Sequence, residues 1–241
     1  MQNRYVGDIG DYVKLAILRA LAHDRRLGIA WWLVPDEQHN GDGGHREYLR
    51  RPDEWKRFDP DLFEALARIE QAAQRDVHAL EAAKLFPNVV FASDPVPCDL
   101  QPFAERPAAR QRWLSAIRDR LQDCELVFVD PDNGLATPGL RLTLRRAGKS
   151  AFIEEIRGLT ESHRPVVVYH HQTRRRGGHH MELHHIAAEL RNGGLTVSGV
   201  LRAKPWSPRA FFILYGDGAL QTRAERIVRD WDGWISWHPA P

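Results

Sequence analysis

The chain alternates between short unbroken apolar runs and longer stretches in which apolar residues recur every three or four positions. Two runs stand out, Leu126-Val127-Phe128-Val129 and Val166-Val167-Val168-Tyr169, and Gly28 to Val34 (Gly-Ile-Ala-Trp-Trp-Leu-Val) has the same character. Unbroken β-rich runs of this length predict strands buried on both faces, as in a parallel sheet. Asn88 to Ala92 predicts a shorter strand. Leu195 to Leu201 and Ala210 to Tyr215 alternate or are apolar, and their connection, Arg202 to Arg209, holds two prolines and Trp206. They predict a closing antiparallel pair.

Helical periodicity fills the intervals. Leu15, Leu18 and Leu21, with Val13 and Ile17 beside them, give an apolar face that ends near His23-Asp24, and Asp11 is placed to cap its start. Residues 46–86 predict a helical insertion, broken at Arg51-Pro52 and Asp59-Pro60 and stopped by Pro87. Within it Pro60 suits a first helical turn after Asp59, and Leu62, Phe63, Leu66 and Ile69 follow at helical spacing. Further helices are expected over Ala108 to Gln122, Ser150 to Leu159, 179–192 and Leu220 to Trp231, the third of them stopped by Asn192-Gly193-Gly194. Asp94 to Pro107 is Pro-rich and reads as a surface excursion.

This alternation implies βαβ crossovers. The expected class is α/β: a mostly parallel, Rossmann-like sheet with helices on both faces, a closing antiparallel strand pair, and a helical insertion at about 46–86 within a single α/β domain, 1–241.

Composition changes that picture little. Of 241 residues, 43% are hydrophobic and 27% charged, which suits an ordinary globular protein. No apolar run approaches the roughly 20 residues of a membrane helix, so no membrane partner is expected. Met1-Gln2-Asn3-Arg4 is not followed by an apolar signal core. The two cysteines, Cys98 and Cys124, are too few for a disulfide framework or a zinc knuckle. A reducing, cytoplasmic setting is the expectation. The net charge of +2 does not by itself imply nucleic acid.

Four stretches could carry chemistry. Asp130-Pro131-Asp132-Asn133-Gly134 follows the most apolar strand, and in open α/β sheets ligands bind beyond the carboxyl ends of the strands. Pro131 fixes its own φ and restricts the residue before it, so a short loop could hold polar groups rigidly. The loop from Asp36 to His45 carries Glu37, His39, Asn40 and Asp42, and its Gly41, Gly43 and Gly44 would let backbone approach a ligand. It lacks the spaced glycines of a dinucleotide or P-loop fingerprint. His170 and His171 leave the second Val-rich strand as possible proton carriers or metal ligands, and Arg174, Arg175 and Arg176 after them could contact phosphates. Consecutive strand residues face opposite ways, so one of the two histidines can enter a shared site. On the next helix His180 and His184 share a face, but no Glu stands at 181, so no His-Glu-x-x-His zinc site forms there. A solvated or packed role is expected for that set. Last, Gly7-Asp8-Ile9-Gly10-Asp11-Tyr12-Val13-Lys14 places acids and a Lys around two glycines at a helix start.

The order Gly7, Asp11, Lys14 resembles the opening of the bacterial large-subunit ribosomal RNA adenine methyltransferases, where a Gly-x-x-x-Asp-x-x-Lys stretch helps form the cofactor and substrate site. The strand and loop at 28–44, Glu47-Tyr48-Leu49, and Val166 to His170 resemble later features of that family in the same order. Leu126 to Asn133 resembles its Asp-Pro-Pro-Tyr strand and catalytic loop. Here Asp132 stands for the second Pro, and Asn133 for the aromatic that stacks on a flipped base. The loop at 35–44 has no clean Gly-x-Gly, and 73–86, where a strand ending in a ribose-binding acid would fall, reads as helix. The resemblance implies a class I fold using S-adenosylmethionine to methylate a nucleic acid base amine, with RNA or DNA as partner. Asp130, Asp132, Asn133 and His170 would stand at the reaction centre, Lys14, Asp11, Asp36, Gly41 and Gly43 at the cofactor, and Arg174 to Arg176 on the nucleic acid.

Two other readings fit the same residues. One is a metal-dependent phosphoesterase or nuclease, with Mg²⁺ or Mn²⁺ held by Asp130, Asp132 and His170 and completed by Asp36 or Asp42. The other is a non-catalytic scaffold that binds a partner.

Overall fold

Strands β1 (Leu27–Ala30), β2 (Val89–Ala92), β3 (Leu126–Val129) and β6 (Val166–His171) lie parallel, in the order β2-β1-β3-β6, and form one side of a seven-stranded sheet with β2 at its edge. The structure is a computed structural model and describes residues 1–37, 41, 43–173 and 176–239. The closing pair is β7 (Val197–Ala203) and β8 (Arg209–Leu214). β8 runs antiparallel to both β6 and β7, so it slots between two strands that share the parallel direction. β9 (Ile235–Pro239) adds an antiparallel edge to β7. Two short strands, β4 (Gly134–Leu135) and β5 (Ser150–Ala151), pair outside the main sheet.

Side chains alternate between two cores. Leu126, Phe128, Val167, Tyr169, Phe211 and Ile213 face one side, covered by α1 (Ile9–Ala22), α3 (Pro60–Gln71) and α8 (Gly218–Asp230). Val127, Val129, Val166, Val168, Phe212 and Leu214 face the other, covered by α5 (Arg106–Arg120), α6 (Ile153–Leu159) and α7 (Gly178–Asn192). Burial on both faces is why the central strands read as continuous apolar runs. The insertion holds α2 (Pro52–Trp55), α3, α4 (Val77–Ala82) and 3₁₀ turns at Glu47–Arg50 and Lys56–Phe58. Its Tyr48 stacks on Tyr12 of α1 at 5.2 Å between ring centroids. Among the described residues no helix is long and apolar enough to cross a membrane.

Several local expectations are corrected. The first strand stops at Ala30; the Trp31 amide still donates to the Ala92 carbonyl at 3.1 Å, and Trp32, buried like Trp31, turns the chain away with a left-handed φ of 49°. The helix expected from Ser150 begins only at Ile153, because Ser150 and Ala151 pair with β4. The cap of α1 is Asp8, whose carboxylate accepts from the Asp11 amide at 2.8 Å, rather than Asp11. The Trp-rich tail forms the edge strand β9.

Candidate functional site

Register fixes which side chains can meet. Ala30 of β1 lies beside Val129 of β3, and Val129 beside Val168 of β6; β1 and β3 end at that level, while β6 runs on to His171. The residues one step beyond that level, Asp130 after β3 and Tyr169 within β6, fall on the α1 side of the sheet with Phe128. His171 lies opposite Arg209 on β8 and faces the same way. Together with the first turn of α1 these residues wall a cavity of about 320 Å³. That size lies within the range of small-molecule sites.

The floor is a buried charge cluster. Lys14 Nζ donates to Asp11 Oδ1 at 2.8 Å and to Asp130 Oδ2 at 2.7 Å. All three are nearly inaccessible. Burial works against the Lys14 ammonium, but the carboxylates of Asp11 and Asp130 outweigh it and hold its pKa above the ordinary lysine value. Burial pushes both carboxyls up, and Lys14 pulls them back. Such a cluster is stable only while each charge keeps its partner. The Met1 amine donates to the Asp130 carbonyl at 2.8 Å and to that of Trp32 at 3.2 Å. Met1 and Gln2 therefore fill the crevice between the ends of β1 and β3. This is the point where strand order reverses and where α/β sheets commonly take a ligand. The open cavity lies beside it, over β3 and β6.

The loop after β3 is held from several directions. The Asn133 amide donates to the Lys149 carbonyl at 2.8 Å, and that of Gly134 to the Pro131 carbonyl at 3.2 Å. Asp132 accepts from Gln2 Nε2 at 2.7 Å and pairs with Lys149 at 3.4 Å. The Lys149 ammonium also meets Glu37 at 2.5 Å. These ties leave the Asn133 side chain exposed on the cavity wall. A second cavity of about 380 Å³ opens on the other side, lined by Leu135, Thr137, Leu140, Arg146 and Gln172. The two cavities share Asn133 and His171 as their common wall.

Of the residues expected at the reaction centre, Asp130, Asp132 and Asn133 come together. His170 does not join them. It points to the opposite face, where its Nδ1 accepts from the Leu135 amide at 3.2 Å and its Nε2 reaches Glu182 of α7 at 3.3 Å. Glu182 also accepts from the Thr173 amide at 2.9 Å. His170 thus ties β6, β4 and α7 together, and His171 is the histidine on the cavity. Strand alternation restricted the choice to one of the two, and only the register decides which.

Of the residues expected at a cofactor, Lys14, Asp11 and Gly43 line the cavity. Asp36 is exposed and accepts from the Arg4 amide at 3.2 Å, and Gly41 is exposed away from the cavity. His39, Asn40, Asp42, Arg174 and Arg175 lie outside the described residues, and Arg176 is exposed and away from both cavities. Among the described residues no three His, Cys, Asp or Glu side chains gather as a metal site. The proposed set of Asp130, Asp132 and His170 is split by the sheet, and Lys14 already neutralises Asp130. The metal-dependent hydrolase therefore lacks its ligand shell among these residues.

Sequence reasoning placed His45 in a candidate loop but missed Arg209 and Trp206 on this cavity. Trp206, 68% exposed and at φ 65°, stacks on His45 at 3.9 Å between centroids. The two rings come from loops 161 positions apart in sequence order, one before the insertion and one in the β7–β8 connection, so no local pattern announces their pairing. No family model matches the chain, and no curated protein or solved structure matches it.

Proposed function

We propose that the chain is a group-transfer enzyme that uses S-adenosylmethionine to methylate an amine of a nucleic acid base. The observation that carries this reading is the pair of cavities converging on Asn133 and His171 at the ends of parallel strands. A transfer between two substrates needs two compartments that meet at the reacting atoms, whereas a hydrolase needs one cleft and water.

The first cavity has the chemistry for such a donor. Asp8, Asp11, Glu37, Asp130 and Asp132 line it and outnumber Lys14, Lys149 and Arg209. An excess of carboxylates favours a ligand with cationic groups. The His45–Trp206 pair at its mouth offers an aromatic face. With Met1 and Gln2 in the usual crevice, the donor would be held by Asp8, Asp11 and Gly43 on the α1 side. When bound, S-adenosylmethionine supplies an electrophilic methyl group on a sulfonium sulfur.

The protein's own part is positioning. Asn133 accepts a hydrogen bond from the amine and orients its nitrogen across the shared wall. Lys14 fixes the Asp130 carboxylate, and with it the loop that carries Asn133. Trp206 supplies the stacking surface that the Asp-Pro-Asp-Asn loop lacks, since a base stacks on any aromatic face.

Titration calorimetry with S-adenosylhomocysteine tests the donor half. Saturable binding by the native chain is expected, weakened in Asp8→Asn. Absence of heat at millimolar ligand would refute the reading. Methyl transfer to single-stranded oligonucleotides, lost in Asn133→Ala while S-adenosylhomocysteine still binds, tests the acceptor half.

A further inference from the structure

Arg209 opens β8 and is a buried cationic side chain of the cavity that forms no ion pair with a carboxylate among the described residues. Its side chain is fixed from two sides. Nη1 donates to the carbonyls of Pro205 and Ser207, each at 2.8 Å. The guanidinium lies against Gly10 in the first turn of α1, where a Cβ would stand 2.6 Å from Nη2 and 2.8 Å from both Cζ and Nε. Three near-equal distances mean that the flat face of the fork rests on the glycine. Among the described residues its Nε and Nη2 edge has no hydrogen-bond partner, although Arg209 is only 6% exposed. Lys14, by contrast, has two carboxylates, and Lys149 has Glu37 and Asp132.

A buried guanidinium costs free energy unless its charge is compensated. The two donors of the Nε–Nη2 edge match the two oxygens of a carboxylate or phosphate. We propose that Arg209, held over Gly10, is the anchor for an oxyanion of the ligand that occupies this cavity. The loop that pins Nη1 also carries Trp206, so the same short connection presents an aromatic face and an anion receptor to one ligand. Asp8 at the foot of α1 lines the same cavity and offers a carboxylate to an ammonium of the same ligand. The anion is either the carboxylate of the donor's amino acid end or a backbone phosphate of the acceptor strand. This identification of the partner group rests on the function proposed above. The existence of an oxyanion receptor does not.

The test has three arms, each run on the full chain, on Arg209→Met and on Arg209→Lys. Thermal unfolding is first followed with inorganic phosphate and with acetate. The native chain should gain several degrees at saturating anion, by preferential binding to the folded state. Arg209→Met should gain nothing, and Arg209→Lys, with charge but no fork, should gain less. Equal gains in all three overturn the proposal, whatever becomes of the methyltransferase reading. Calorimetry then compares S-adenosylhomocysteine with methylthioadenosine, which lacks the amino acid end. A loss of about 10-fold to 100-fold for the first alone in Arg209→Met assigns the carboxylate. A salt dependence of oligonucleotide binding that falls by about one unit of slope in the same variant assigns the phosphate. If the native chain binds neither, the proposed function fails and the first arm alone decides for Arg209. Should Arg209→Met not fold, Arg209→Lys and Gly10→Ala, which keeps the arginine but displaces its fork, carry the same comparison.

Discussion

Lys14 Nζ sits 2.7 Å from Asp130 Oδ2 across 116 positions of sequence, with both side chains cut off from solvent. This contact joins the first helix to the end of the most apolar strand. It also sets the position of the loop that follows, because Asp130 begins it. Asp11, one helical turn before Lys14, is the third member. A lysine shared by two buried carboxylates is a constraint on geometry more than a source of net stability, since each charge was costly to desolvate.

Removing the shared cation should therefore be severe. Lys14→Met leaves Asp11 and Asp130 buried without their counter-charge and is expected to cost about 3–5 kcal/mol in urea unfolding, the range for breaking one side of a buried pair. Lys14→Met combined with Asp130→Asn should lose less than the sum of the two single changes, because the neutral amide no longer needs the ammonium. A Lys14→Met protein within about 1 kcal/mol of the native chain would show that the cluster is better hydrated than its burial implies.

How far this arrangement was legible follows from the range of the signal. The four parallel strands, the closing pair and most helices announce themselves by local periodicity, as does the placement of Asp130, Asp132 and Asn133 beyond a strand end. The pairing of Lys14 with Asp130 does not, since it depends on α1 crossing over β3. The two-residue strands β4 and β5 have no period to detect, so Ser150 reads as the start of a helix. His170 and His171 could be separated by alternation but not assigned, because the assignment needs the alignment of β6 with β3. Arg209 was the largest omission. In sequence it is one arginine among many at the edge of a turn, and its importance comes from Gly10, on a different element.

The buried histidine in the first turn of α7 supplies a pH dependence. His179 is buried, and its Nδ1 accepts from Arg202 Nε at 2.7 Å. Burial and the Arg202 cation, aided by His170 and His238 and opposed by Glu182, lower its pKa to about 4. As pH falls below about 6.5 the unfolded chain takes up this proton first, so stability declines until about pH 4 and then levels for this group. The maximal slope for one proton is about 1.4 kcal/mol per pH unit. Glu182 acts in a separate window. Burial would raise its pKa, but hydrogen bonds from His170 and Thr173 lower it to about 2, so its contribution is lost only below about pH 4.3. Denaturant midpoints at pH 7 to 4 should fall less steeply in His179→Gln, whose amide oxygen can still accept from Arg202. An unchanged slope would place the titration elsewhere.

Gly134 is expected to resist substitution for two independent reasons. Its φ is +88°, in the left-handed region, and a Cβ there would stand 2.7 Å from the His170 Cα and collide with the imidazole. Gly134→Ala should cost at least about 1–3 kcal/mol from backbone strain alone. Because the collision is with the tie between β4 and β6, it should also shift the Asn133 loop. Crosspeaks of Asn133 and Lys149 amides in a heteronuclear NMR spectrum should move, and an undisturbed spectrum in a stable variant would contradict the packing described.

Trp206 separates binding from folding. It is 68% exposed and its ring packs on that of His45, so Trp206→Ala should leave the melting temperature nearly unchanged, as surface changes do. If the ring is the stacking surface for a base, the same change should weaken binding of single-stranded oligonucleotides by about 1–3 kcal/mol. Trp206→Phe, which keeps an aromatic face, should recover most of that loss. Fluorescence anisotropy with a labelled oligonucleotide measures all three. Equal affinities for the native chain and Trp206→Ala would leave the His45–Trp206 pair without a part in recognising the acceptor, and would move the base to the second cavity beyond Asn133.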